Sequence, residues 1–242
     1  MKLHITGASG YLGSELVRLR PHASTERVEV RDAEAVQALF ERVRPDTVIH
    51  TAYRQDEEAV NTVGSENVAR AAAAAGARLV HLSTDVVFDG RKGGPYVEDD
   101  PLSPVTAYGR AKAEAELRVA AAHPATLLVR TSLLYGGPEP SQHELAARDR
   151  AFTFFSNEIR SPVHVADLAH ALLELAELDV AGPLHVAGPD AVSRATFAEL
   201  IVGAPVRSEA APETRPLDCS LDSTWAEAML RTRLRGVREV LG

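Results

Sequence analysis

Apolar positions along the chain fall into two alternating patterns. Runs of five or six residues, each with two or three of Val, Leu and Ile, stand at 2–6, 27–31, 46–50, 78–83, 126–131 and 183–187. Between and after them, apolar residues recur at three- and four-residue spacing over 11–20, 33–43, 57–75, 107–122, 163–177, 193–202 and 223–232. The first pattern predicts buried strands and the second amphipathic helices. Strands separated by helices predict β-α-β units, hence an α/β fold with a doubly wound parallel sheet. The alanine run at 71–75 continues a helix that Gly76 closes. Two stretches rich in Gly and Pro, 86–106 and 136–150, are expected as long irregular loops, placed at a substrate mouth.

The first strand-to-helix turn is Thr6-Gly7-Ala8-Ser9-Gly10-Tyr11-Leu12-Gly13. Glycines there permit a tight turn, close approach of backbone to a pyrophosphate, and close packing of helix on strand. The helix that follows offers N–H groups and a positive dipole end to phosphates. The spacing is G-x-x-G-x-x-G rather than G-x-G-x-x-G. Alone, it is equally a turn that binds nothing.

A second motif is Tyr108-Gly109-Arg110-Ala111-Lys112. Four residues is one helical turn, so both side chains leave the same face. An ammonium beside a phenol favours the phenolate, and such a tyrosine can hand a proton to a carbonyl oxygen while hydride arrives at its carbon. The plain alternative is a half-buried tyrosine beside a solvated lysine. A third element, Ser83-Thr84-Asp85, ends the strand run from Arg78. Ligands of open parallel sheets bind beyond the carboxyl ends of the strands, where a hydroxyl can hold a carbonyl.

With these residues the chain resembles the extended short-chain dehydrogenases/reductases, and within them the dTDP-4-dehydrorhamnose reductase group. The resemblance also runs through 45–53, Phe88-Asp89-Gly90, 95–100, 130–136, 161–169 and Arg215-Pro216-Leu217. It implies a Rossmann-type sheet, formed by 1–135 plus 162–187, with a small C-terminal substrate lobe from 136–161 plus 188–242. It implies an NAD(P)H-dependent reductase of a keto-sugar or sugar nucleotide. Thr84 matches the family's catalytic hydroxyl, Tyr108 its proton donor, and Lys112 the residue that orients the ribose and tunes the tyrosine. Cofactor contacts are implied for Gly7, Ser9, Gly10, Tyr11, Leu12, Gly13, Val30, Thr51, Ala52, Tyr53, Ser83, Tyr108, Lys112 and Thr131. The cofactor is NADP or NAD, with NADPH taken first. A homodimer through 57–75 and 107–122 is common in this superfamily.

Two departures qualify the resemblance. The second strand of the nucleotide-binding half is shortened or missing, because 27–31 already reads as the third. Glu29, Asp32, Arg18, Arg20 and Arg31 are all candidates to face the adenosine ribose. Leu133 stands where the family carries an aromatic near the sugar ring. Two further readings stay open: a non-catalytic NAD(P)-binding regulatory subunit, and an epimerase or dehydratase on the same scaffold.

Composition narrows the rest. The chain has 242 residues, 45% of them hydrophobic, enough for a substantial core. A net charge of −8 argues against a nucleic-acid or membrane-surface partner. No secretory leader is recognisable, and the single cysteine, Cys219, suits a reducing cytoplasm. No metal site is expected: His164 and His170 are six apart, and Glu98-Asp99-Asp100 reads as a solvated loop. Arg130 reads as structural or as a phosphate contact. Asp167 reads as a hydrogen-bond partner, and Trp225 with Met229 as core or interface.

Overall fold

A computed structural model describes all 242 residues. In chain order its first elements are β1 (Leu3–Thr6), α1 (Tyr11–Leu19), α2 (Ala33–Val43), β2 (Thr47–His50), α3 (Ser65–Ala75), β3 (Arg78–Thr84), α4 (Ala107–Ala122) and β4 (Leu127–Thr131). There follow β5 (Leu134–Tyr135), α5 (Gln142–Arg148), β6 (Phe154–Phe155), β7 (Ile159–Arg160), β8 (Val163–His164), α6 (Val165–Leu175) and β9 (Gly182–His185). The chain ends with β10 (Val192–Ser193), α7 (Arg194–Val202), β11 (Ser208–Glu209), α8 (Thr224–Met229) and α9 (Val237–Leu241).

Residues divide into two contact-dense units. The first comprises Met1–Ser83, Ala107–Val129 and Ala169–Pro183; the second comprises Thr84–Thr106, Arg130–Leu168 and Leu184–Gly242.

A five-stranded sheet has the order β1-β2-β3-β4-β9, with β1, β2 and β3 paired in parallel and β1 and β2 wholly within the first unit. β1 and β2 are buried at every residue, as strands covered on both faces must be. Both end in a polar residue, Thr6 and His50. Helices α2, α3 and α4 pack in succession beside one another. Their apolar faces meet β2 and β3 in one cluster that includes Val36, Phe40, Val48, Val68, Leu79 and Val119. Three of the five buried residues of α3 are alanines (Ala69, Ala71, Ala72, beside Ser65 and Val68), and Gly76 ends it with φ +64°.

The expected strand at 27–31 does not form. Only Ser24 bridges the free edge of β1: its N–H donates to Leu3 O, and Ile5 N–H donates to Ser24 O. Arg20 is still tied to Leu16 and Asp32 already caps α2, so eleven intervening residues must return the chain across the sheet. They hold an extended path with local bonds in place of a ladder. The Glu29 carboxylate takes the Arg31 guanidinium at 2.8 Å, and the Asn67 amide donates to the carbonyls of Val30 and Arg31.

The helix expected over 57–75 opens with a π-helical turn at Val60–Gly64 before α3. Gly64 lies there against Val30, where a β-carbon would come within 2.6 Å of Val30 Cγ2. The helix expected at 163–177 is shortened to α6 by β8, and that expected at 223–232 stops at Met229.

In the second unit, short strand pairs replace a large sheet: β5 with β8, β6 with β11, and β7 with β10. α7 packs against α5 and α9. The stretch 136–150 is not wholly irregular. Ser141 and Glu144 form a capping box that starts α5, each side chain accepting from the other's backbone N–H. Leu133 belongs to the apolar cluster of this unit, with Tyr135, Val192, Phe197 and Val237. Trp225 is 56% exposed and Met229 lies at the surface, so neither is core. No helix is long and apolar enough to cross a membrane.

Candidate active site

The glycine turn closes directly onto the turn after β2. Gly7 adopts φ +68°, and a β-carbon there would lie 2.7 Å from Ala52 N. Gly10 N–H donates to Gly7 O at 2.9 Å. A β-carbon on Gly13 would stand only 2.1 Å from Gly7 O. Gly7 and Gly13 are thus required by packing. Gly10, the residue before α1, is exposed, has extended backbone and supplies no capping side chain, and the first turn of α1 holds no acidic residue. A helix N-terminus left open in this way, beside backbone that carries no side chain, fits a dinucleotide's phosphates.

Thr51, Ala52 and Tyr53 follow β2 at the same edge. The Thr51 hydroxyl donates to Thr6 O at 2.7 Å, fixing the two turns to each other. Tyr53 is half exposed, and its ring centroid lies 6.1 Å from that of Tyr108. Ser9 is exposed and Tyr11 half-buried; Leu12 is a core residue. Val30 is buried beneath α3 rather than presented at an open edge.

α4 spans the residues expected of it, and Tyr108 and Lys112 stand one turn apart in its first half. Lys112 is only 3% exposed. Its ammonium donates to Leu82 O at 2.7 Å and lies 3.4 Å from His81 Nε2. Burial pushes its pKa down to about 8, against an upward pull from Glu116. Ser83, the neighbouring strand-end hydroxyl, donates to the Glu116 carboxylate. Within the first unit, then, the structure brings together Gly7, Gly10, Gly13, Thr51, Ala52 and Tyr53, and gathers Ser83, Tyr108 and Lys112 about β3 and α4.

Thr84 and Thr131 belong to the second unit. The Thr84 hydroxyl lies 3.2 Å from Asp85 Oδ1. Asp85 is buried, accepts from the Ser132 hydroxyl, and faces Arg160 Nε at 3.6 Å. Burial pushes its pKa up, with Arg160 pulling the other way. Arg160 and Arg215 both pair with the buried Glu158 carboxylate at 2.9 Å. The Thr131 hydroxyl is committed to Val186 O at 2.8 Å.

Other sequence readings resolve as structure. Arg130 is buried, donates to Glu98 O, and lies over the Phe88 ring. Glu98 is not solvated: it is 6% exposed and accepts from His185 N–H. Asp167 binds the Arg235 guanidinium at 2.7 Å. No cluster of histidine, cysteine and carboxylate side chains is placed to hold a metal ion. The reading from sequence missed Glu116 and the strand histidines His50 and His81. The two histidines were signalled only as polar residues in short strand runs, and Glu116 only by standing one helical turn after Lys112.

A family model described as the RmlD substrate binding domain matches residues 1–241. A dTDP-4-dehydrorhamnose reductase of Mycobacterium tuberculosis is 37% identical over 80% of this chain and 72% of its own length. A dTDP-4-dehydrorhamnose reductase from Bacillus anthracis, solved in complex with NADP, superposes with a TM-score of 0.87 at 25% identity. It covers 100% of this chain and 98% of that one. The methionine adenosyltransferase 2 subunit beta of Mus musculus is 28% identical over 98% of this chain and 86% of its own.

Proposed function

Because the chain belongs to the extended short-chain dehydrogenase/reductase family, in its dTDP-4-dehydrorhamnose reductase-like group of NAD(P)-dependent oxidoreductases, we propose that it reduces a nucleotide-linked keto-sugar with NADPH or NADH. The observation that carries this reading is the lysine of α4. An ammonium is buried against Leu82 O one helical turn from a tyrosine, in the unit that holds the glycine turn. A binding module could use the lysine on the ribose but has no use for a proton-donating tyrosine one helical turn away.

The nicotinamide, when bound, supplies the hydride. Gly7, Ser9, Gly10, Tyr11 and Gly13 hold the pyrophosphate at the open end of α1, and Thr51, Ala52 and Tyr53 flank the ribose. Thr84 holds the substrate carbonyl. Tyr108 gives its phenolic proton to the carbonyl oxygen as the carbon accepts hydride. Lys112 donates to the ribose and keeps a positive charge near the phenol, which stabilises the phenolate left behind. The sugar is chosen by residues of 136–161 and 188–242. NADPH is preferred here on the strength of the NADP-bound Bacillus anthracis relative.

The test is oxidation of NADPH and NADH against a panel of dTDP-linked and UDP-linked 4-keto sugars. Turnover that Tyr108→Phe abolishes supports the reading. Saturable cofactor binding with no turnover on any keto-sugar overturns it in favour of a regulatory subunit. That second reading draws on the likeness to a methionine adenosyltransferase subunit over nearly the whole chain.

A further inference from the structure

Thr6, His50 and His81 are register partners across β1, β2 and β3. All three are buried, so they form a polar row through the sheet interior. The Thr6 hydroxyl meets His50 Nδ1 at 2.6 Å, and His50 Nε2 meets the Ser65 hydroxyl at 3.2 Å. The His81 ring lies 5.2 Å from that of His50. Its Nε2 faces Lys112 Nζ at 3.4 Å, and its Nδ1 has no partner at all. The row therefore ends at the lysine.

The chemistry of the pair leaves one arrangement. An ammonium can only donate, so His81 Nε2 must present its lone pair. A neutral ring then carries its proton on Nδ1. A second proton on the ring is opposed by burial and by the Lys112 charge, and the same holds for His50. An orphaned buried N–H is unfavourable by about 1–3 kcal/mol, a cost that apolar packing at this position would avoid.

We propose that His81 is a positioning residue for the reaction: a neutral imidazole held in the Nδ1–H tautomer, whose Nε2 and the Leu82 carbonyl together take two of the three Lys112 donors and leave one for the cofactor ribose. The proposal rests on the roles given to Tyr108 and Lys112 above. The titratable groups that act on the ammonium are His81 and His50 from the strands and Glu116 from its own helix. Glu116 raises the lysine pKa, and His81 contributes a lone pair without charge. Removing the His81 lone pair takes away an acceptor that favours the charged ammonium, so the lysine loses its proton at lower pH.

The test has two arms. In the first, two-bond 15N correlation spectra of the whole protein, without cofactor, read the ring of His81, assigned with His81→Gln. An Nδ1–H tautomer whose Nε2 signal moves in Lys112→Met supports the proposal. An Nε2–H tautomer, or a signal indifferent to Lys112→Met, overturns it. In the second arm, His81→Leu and His81→Gln are compared in the direction of carbonyl reduction. His81→Leu should lower kcat about tenfold with KM for the sugar unchanged, and move the alkaline limb of the profile down by about one pH unit. His81→Gln, which restores an acceptor, should return the limb toward wild type. Coincident profiles in both variants would overturn the proposal. Should His81→Leu fail to fold, the spectra of wild type and Lys112→Met decide it. Absence of turnover on every keto-sugar, with the spectra as expected, counts against the reductase reading and not against the His81–Lys112 pair.

Discussion

A β-carbon on Gly7 would lie 2.7 Å from the amide nitrogen of Ala52, so the turn after β1 and the turn after β2 close on each other with no room for a side chain. The same turn abuts α1, where a β-carbon on Gly13 would fall 2.1 Å from Gly7 O. Backbone cannot yield at such distances. Gly7→Ala and Gly13→Ala are each expected to destabilise the fold by about 2–4 kcal/mol and to abolish NADPH binding. Gly10→Ala makes only a 3.2 Å contact with Gly7 O and should fold. Denaturant midpoints and nucleotide titration check this. A fully stable Gly13→Ala would show that the turn is not packed as described.

Tyr108 can give up its proton only through its hydroxyl, while its ring adds the contact with Tyr53. Tyr108→Phe keeps the ring and removes the proton. Turnover should fall by about a hundredfold or more, with the Kd for NADPH within about twofold of wild type. Single-turnover kinetics and fluorescence titration separate the two effects. Equal loss of binding and turnover would mean the residue serves the cofactor site alone.

The Lys112 pKa, pushed down to about 8 by burial, makes the lysine a stability liability as well as a functional group. Its folded pKa lies below its unfolded value near 10.4. Stability is therefore greatest above the unfolded pKa and is lost as pH falls toward 8, where the folded chain must take up a buried proton. At pH 7 the deficit is on the order of 3 kcal/mol, offset in part by the bonds to Leu82 O and His81. Lys112→Met should then keep or raise Tm at pH 7 while eliminating turnover. A large fall in Tm would show that the hydrogen bonds outweigh the desolvation.

Much of this was readable in the chain before any coordinates. α4 runs over Ala107–Ala122, as its periodicity predicts, and that one helix carries both Tyr108 and Lys112. β1, β2 and β3 fall where short apolar runs place them, since strands buried on both faces leave a continuous signal. What failed was decided by tertiary context. Val28 to Val30 looks like a strand by composition, but the free edge of β1 is met by Ser24, and Asn67 from α3 satisfies the carbonyls of Val30 and Arg31. α5 was signalled by Ser141 and Glu144, a capping box obscured by the prolines around it. The row of Thr6, His50 and His81 exists only through register, which no single strand specifies.

Five histidines whose pKa burial lowers, His4, His50, His81, His143 and His185, make acid the weak side of the fold. Burial depresses His4 and His185 to about 4, and His50 and His143 to about 3. Each folded pKa lies below the unfolded value near 6.5. Between 6.5 and the folded value the unfolded chain binds a proton that the native chain refuses, so their contribution, complete above 6.5, is lost as pH falls. Each depressed histidine adds a slope of about 1.4 kcal/mol per pH unit. Denaturant midpoints should hold steady from about pH 8 down to 7, turn downward near 6.5 and fall steeply by about pH 5, before most carboxylates titrate. His50→Asn and His4→Gln should each flatten that descent while lowering stability at pH 7, where the neutral ring fills its space and bonds Thr6 or Ser24. A midpoint unchanged from pH 7 to 5 in the wild-type protein would show that these rings accept protons in the native state.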